Sequence, residues 1–114
     1  ELNFLIGSCY MNLEQGNEAE SYLLTALKGN SYLPETNFYL GAISMDKEDY
    51  ENAIPYFTTA IEGQCFVDFS TYNRGVCYLN TSQNKLAKED FQYVTEHSED
   101  AGLVSDSQDI LRQM

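Results

Sequence analysis

The chain has 114 residues, and its 18 acidic and 6 basic side chains give a formal net charge of −12 at pH 7. This length is typical of one domain, and a hydrophobic content of 43%, with nine Tyr and six Phe, can fill a core without disulfide or metal cross-links. The negative charge disfavours binding to nucleic-acid backbones and to anionic membrane surfaces. No run of 18 apolar residues occurs, so we predict no helix that inserts into a membrane.

Apolar residues recur at helical spacing from the start of the sequence. Ile6, Tyr10 and Leu13 share one face of a first predicted helix, and apolar residues between 19 and 27 share one face of a second. Because the pattern already runs at Glu1, we expect the sequence to be a piece of a longer chain. Helix ends are predicted where Gly, Asn, Asp and Ser cluster, at residues 14–17, 29–33, 47–49, 63–67, 81–84 and 98–101.

Two residues fit the starts of predicted helices. Pro34 suits a first helical turn, where its missing N–H has no intrahelical partner to lose. Asp68 has a side chain that can accept hydrogen bonds from free N–H groups, so we predict that it caps a later helix.

A period of 34 residues relates segments 1–29 and 35–63, which are identical at 11 positions. A further step of 34 retains Gly75, Ala87 and Phe91. Self-similarity at this period indicates stacked two-helix units. We therefore predict one all-α domain over 1–114, with repeats at about 1–33, 34–67 and 68–101 and a capping helix at about 102–113.

Small residues recur in the middle of the predicted helices, where glycine costs about 1 kcal/mol relative to alanine. A close approach of the two helices in each repeat would explain this cost. We predict that each glycine and alanine meet at a tight crossing, with a larger apolar side chain filling the space one turn beyond. These columns are Gly7, Gly41 and Gly75; Ala19, Ala53 and Ala87; and Leu23, Phe57 and Phe91.

The cysteines and the single histidine, His97, fit no catalytic or metal-binding pattern. Three cysteines without a C-x-x-C pair argue against a disulfide framework and a zinc site. Cys9 and Cys77 differ by twice the repeat period, so we predict that both are buried; Cys65 falls in a loop and is the better candidate for a reactive thiol. We predict no enzymatic activity, no metal and no cofactor.

The period and the Gly, Ala and Leu/Phe columns resemble the tetratricopeptide repeat (TPR) family over residues 1–97. The resemblance implies a right-handed α-α superhelix, a TPR solenoid of about seven antiparallel-paired helices. It also implies that the first helices of successive repeats line a concave groove that binds a peptide or a partner helix. Asn3 and Asn37 stand where the family favours Trp, and Arg74 replaces an apolar residue.

The implied groove is aromatic and Met-rich with an acidic border. The residues that we expect to contact a partner are Phe4, Phe38, Tyr39, Met45, Phe69, Tyr72 and Leu79. An apolar or basic protein or peptide would suit this surface, because Met and Tyr adapt to apolar segments and acidic groups attract cations. The same residues could instead pack between adjacent first helices, since each repeat must bury surface on its neighbours.

A specialised groove of this family binds the C-terminal carboxylates of heat-shock chaperones through Lys, Arg and Asn side chains. The corresponding positions here are Phe4, Ser8, Tyr39, Phe69 and Asn73. No cation among them can pair with a buried carboxylate, so the resemblance predicts no carboxylate clamp and no binding of acidic chaperone tails.

An alternative function is structural: the repeat ends could stack on further repeats or on a second copy of the chain. The acidic, tyrosine-rich composition is also similar to that of bacterial TPR proteins, some of which are envelope lipoproteins. We therefore expect the bacterial cytoplasm or, for a longer lipoprotein, the cell envelope.

Overall fold

A computed structural model describes residues 1–30 and 32–114. Helices account for most of these residues, and none of them forms a β-strand. In chain order the helices are α1 (Leu2–Asn12), α2 (Gly16–Lys28), α3 (Leu33–Asp46), α4 (Tyr50–Glu62), α5 (Val67–Asn80), α6 (Asn84–His97) and α7 (Ala101–Gln113). The predicted all-α helical-repeat fold is confirmed. None of the described helices has the length and apolar character that a membrane crossing requires.

The turn inside each repeat has the same backbone structure three times. Glu14, Glu48 and Ser82 take left-handed φ values of 60°, 59° and 62°. In each case the next residue donates its N–H to a carbonyl five residues earlier, at 2.8 Å, as from Gln15 to Tyr10. These bonds satisfy carbonyls at the end of the first helix and reverse the chain. The recurring turn places the two helices of each repeat in the same antiparallel relation.

Each repeat has a first helix (α1, α3 or α5) and a second helix (α2, α4 or α6), and α7 follows in the place of a further first helix. Each second helix packs between two first helices, α2 between α1 and α3, α4 between α3 and α5, and α6 between α5 and α7. First helices also contact each other directly, α1 with α3 and α5 with α7. Side chains of the first helices therefore lie beside one another where α1 meets α3 and where α5 meets α7.

The mid-helix glycines make room for the large side chain of the partner helix. A Cβ atom on Gly7 would lie 2.8 Å from Leu23 Cγ, and one on Gly41 would lie 2.9 Å from the Phe57 ring. A Cβ atom on Gly75 would lie 3.1 Å from the Phe91 ring. The helices approach closely as predicted, but the nearest neighbour of each glycine is the large side chain and not the alanine. The three large side chains are fully buried.

The prediction that Cys9 is buried is wrong, whereas Cys77 is buried as predicted. The equivalent position in α3, Ile43, is buried in a cluster with Ala19 and Leu23 of the preceding helix α2. Cys77 of α5 is buried with residues of α4 in the same way. Within the described residues α1 has no preceding helix on this side. Burial at this position thus depends on the neighbouring repeat.

Arg74, at a position where the family favours an apolar residue, joins three helices. Its Nε and Nη2 donate to the two carboxylate oxygens of Asp90 in α6, at 2.9 and 2.8 Å. Its Nη1 donates to Thr58 Oγ1 of α4 at 3.2 Å, and the guanidinium carbon lies 5.6 Å from the ring centroid of Tyr78. The hydrogen bond to Asp90 raises the pKa of Arg74 and keeps it charged despite partial burial.

Candidate peptide-binding face

Aromatic side chains gather where the first helices begin. They come from the N-terminal halves of α1, α3 and α5 and from the loops before α3 and α5. We call this surface the aromatic face, and it consists of Phe4, Tyr32, Phe38, Tyr39, Phe66, Phe69 and Tyr72.

Five of these rings form a continuous chain across two repeats. Phe4 stacks on Tyr32 with ring centroids 4.6 Å apart and contacts Tyr39 at 6.1 Å. Phe38 contacts Tyr39 at 5.8 Å and Phe66 at 4.9 Å. These separations lie in the range of favourable aromatic pairs. The contacts hold the rings in a fixed arrangement, so this part of the surface is preorganised.

Most of the predicted groove residues pack against the core and also remain partly exposed. Phe4 and Tyr39 are half-buried against the core cluster of α2 and α3, and Phe38 and Met45 against that of α4 and α5. Phe69 is 46% exposed. Each of the half-buried side chains therefore has one side in the core and keeps another at the surface.

Tyr72, Met45 and Leu79 differ in their surroundings. Tyr72 is half-buried and meets the Phe91 ring edge-on, with centroids 5.6 Å apart. Met45 and Leu79 are half-buried near the C-terminal ends of α3 and α5. Leu79 lies ten residues beyond Phe69 on α5, about 15 Å along the helix axis. The structure thus separates Met45 and Leu79 from the aromatic face.

Sequence reasoning missed two residues of this face, Tyr32 and Phe66. They are 44% and 52% exposed, and their φ values of 47° and 44° are left-handed. Each occupies the residue before a first helix, at equivalent positions of successive repeats. The prediction that Asp68 caps α5 is wrong, because Phe66 is the N-cap residue and Asp68 lies in the first turn. The recurrence of an aromatic residue at positions 32 and 66, one repeat period apart, was the sequence signal that could have identified Tyr32 and Phe66.

Carboxylates border the aromatic face. Tyr32 donates its hydroxyl hydrogen to Glu1 Oε1 at 3.2 Å, and this bond, with the charges of Glu1 and Glu35, raises the pKa of Tyr32. Partial burial and the charge of Asp106 raise the pKa of Tyr72. Negative charge therefore reaches these two tyrosines from α7, from the N-cap residue of α1 and from the first turn of α3.

The thiols of Cys65 and Cys77 are not activated. Burial, with a further contribution from Glu35, raises the pKa of Cys65, and burial raises the pKa of Cys77 to about 11. A thiol must be deprotonated to act as a nucleophile, so both shifts reduce reactivity at neutral pH. Among residues 1–30 and 32–114, no group of His, Cys, Asp and Glu side chains is arranged to hold a metal ion.

The stacked helix pairs define a helical-repeat protein, and comparison with protein families gives the class. The model of the family described as tetratricopeptide repeat matches residues 1–30 and 34–62, more than half of the chain. The chain belongs to the tetratricopeptide repeat family. A search of curated proteins gives no match. TPR proteins generally mediate protein–protein interactions or act as scaffolds, and they are typically not enzymes.

Proposed function

We propose that this TPR domain is a protein–protein interaction scaffold whose aromatic face binds a peptide or partner helix. The face combines preorganised rings with surface that remains exposed after the repeats have packed. Aromatic residues in such positions are enriched at protein interfaces because they bury much apolar area at little entropic cost.

Tyr32 and Phe66 are the observation that carries this proposal. A bulky residue in the left-handed region costs about 1–3 kcal/mol, and such strain is found mainly at binding and catalytic sites. The ring contacts with Phe4 and Phe38 offset only part of this cost, since about half of each side chain is exposed. A partner that covers both rings would account for it.

The border favours a partner with apolar and basic side chains. Glu1, Glu35 and Asp106 place negative charge beside the rings, in a chain whose net charge is −12. A Lys or Arg side chain can lie over an aromatic ring and approach one of these carboxylates. An acidic partner would meet repulsion on the same surface.

Panning of a random-peptide library against residues 1–114 tests the proposal, with Tyr32→Gly/Phe66→Gly as the variant. Glycine accepts the left-handed backbone, so relief of strain offsets part of the lost ring contacts and the variant should remain folded. We expect enriched apolar or basic peptides whose affinity falls about tenfold or more in this variant, as for central aromatic anchors of an interface.

The matched control is Asn30→Gly/Gln64→Gly. These residues lie in the same two loops and have left-handed φ values of 56° and 59°, but they carry no ring. The control should bind selected peptides like the unmodified chain. Equal binding by all three proteins, or equal loss in both double variants, would contradict a role for the rings.

Self-association is a second candidate function, supported by an exposed stripe along α1 and its C-cap residue. Leu2, Leu5 and Leu13 are 69%, 50% and 64% exposed, and Cys9 is exposed between them. The four residues share one helix face. At the equivalent position of Cys9, Ile43 is covered by α2. We propose as the alternative that α1 of a second copy covers this stripe.

Sedimentation over a concentration series tests this alternative. A dimer that contacts through α1 should dissociate when Leu5 and Leu13 are changed to Glu, because the interface would then bury unpaired charges. Mild oxidation of the Cys65→Ser variant should cross-link the dimer through Cys9. A single monomeric species at every soluble concentration would contradict self-association.

A further inference from the structure

A cleft opens at each junction between successive units, at the same place in the repeat. It lies between the start of a second helix and the end of the following first helix. Gly16, Tyr50 and Asn84 occupy equivalent positions at the start of the three second helices. All three line their clefts, whose volumes are about 240, 260 and 540 Å³ in chain order.

The first two clefts are polar. The lysine of the first cleft is paired with a carboxylate, and the second cleft is negatively charged. In the first, Lys47 forms an ion pair with Glu20 at 2.9 Å, and Asp46 lies beside it. The second cleft is acidic, and its lining residues are Glu48, Asp49, Tyr50, Glu51, Asn80 and Thr81. Neither offers free positive charge beside an apolar wall.

The third cleft differs in both size and chemistry. Leu79, Leu111 and Met114 supply apolar walls, and Lys85 and Lys88 supply positive charge. No ion pair involves either lysine within residues 1–30 and 32–114, and no acidic residue lines the cleft. Two of the six basic residues of a strongly acidic chain thus lie together, with no Asp or Glu side chain among the residues that line the cleft.

Further features reinforce this positive character. Lys88 occupies the position of the half-buried residues Glu20 and Ile54 in the other repeats, and it lines the cleft together with the apolar side chains. Gln83, the N-cap residue of α6, makes no side-chain cap, and the first turn of α6 has no acidic residue. The helix dipole therefore adds positive potential to that of the lysines.

We propose that this cleft binds a small amphipathic carboxylate. The aliphatic chain would lie against Leu79, Leu111 and Met114, with the carboxylate between Lys85 and Lys88. The volume falls within the range of about 300–1,000 Å³ that is usual for small-molecule sites. The site is independent of the aromatic face, which lies toward the opposite end of α5.

Octanoate is the probe, with octan-1-ol and octylammonium as matched neutral and cationic ligands of the same chain length. In amide NMR titrations of residues 1–114, octanoate should shift the signals of Leu79, Lys85 and Leu111. Octan-1-ol should bind about tenfold more weakly, because it lacks the charge-assisted hydrogen bonds to the lysines. Absence of octanoate binding, or equal affinity for the alcohol, would overturn the proposal.

Charge variants test the role of the two lysines. Lys85→Gln/Lys88→Gln should weaken octanoate binding about tenfold. Lys85→Glu/Lys88→Glu should reverse the preference toward octylammonium. The control Lys28→Gln removes another exposed lysine on α2 and should leave octanoate binding unchanged. Unaltered binding in the Gln double variant, or an unreversed preference in the Glu double variant, would overturn the assignment of the carboxylate to these lysines.

Discussion

Replacing Asp90 with Ala should lower the free energy of unfolding by about 3–5 kcal/mol, the usual cost of breaking a buried ion pair by removing one partner. Asp90 is buried and accepts two hydrogen bonds from Arg74. Without that carboxylate, the guanidinium remains half-buried beside Thr58 and the Tyr78 ring, and the charge of Glu62 compensates it more weakly than Asp90 does. Urea unfolding at pH 7, followed by circular dichroism, measures the change.

The control for this prediction removes both charges together. Arg74→Met/Asp90→Leu replaces the pair with apolar side chains of similar size, and such exchanges are often neutral or stabilising. Thr58 still donates its own hydroxyl hydrogen to the Ile54 carbonyl at 2.9 Å. We therefore expect the double variant to be more stable than Asp90→Ala. Equal losses in the two proteins would show that the unpaired charge is not the cause.

Phe57→Ala should also cost about 3–5 kcal/mol, as expected for truncation of a buried aromatic side chain. Phe57 is fully buried between α3 and α4, where it meets Gly41 and the edge of the Phe38 ring. The truncation would leave a cavity at the centre of the second repeat. Chemical denaturation measures the loss.

The Gly41→Ala variant tests whether Gly41 and the Phe57 ring are in direct contact at the helix crossing. In the unmodified chain the added Cβ would lie 2.9 Å from the Phe57 ring, so we expect a destabilisation of about 1–3 kcal/mol from overpacking. In the Phe57→Ala background the ring is absent, and the same change should cost nothing or partly fill the cavity. Additive effects of the two changes would contradict the proposed contact, since coupled neighbours deviate from additivity.

The sequence was sufficient for the fold because its main determinants are periodic. Gly41 and Phe57, for example, recur as Gly7 with Leu23 and as Gly75 with Phe91, and each pair meets at the same helix crossing. A steric requirement repeated every 34 residues leaves a pattern in one sequence.

Features that depend on particular neighbours could not be read from that pattern. Cys9 is exposed and Cys77 buried at equivalent positions, because only Cys77 has a preceding helix packed on it. The ion pair between Arg74 and Asp90 joins residues of two different helices and occurs at one position of the array. Periodicity carries no information about such single contacts.

The candidate site was predictable in part. The helical register predicts that Phe4, Phe38 and Tyr39 share a surface, and the ring contacts bring them together. Tyr32 and Phe66 were missed because a left-handed backbone at a bulky residue is uncommon and helical periodicity does not extend into loops.

The central claim is that the aromatic face is the surface that receives a partner. Amide chemical-shift mapping of residues 1–114 with a selected peptide tests it most directly. We expect the largest shifts on Tyr32, Phe38, Phe66 and Phe69, with little change along the exposed sides of α2, α4 and α6. Shifts concentrated on those second helices, or on the exposed stripe of α1, would contradict the claim.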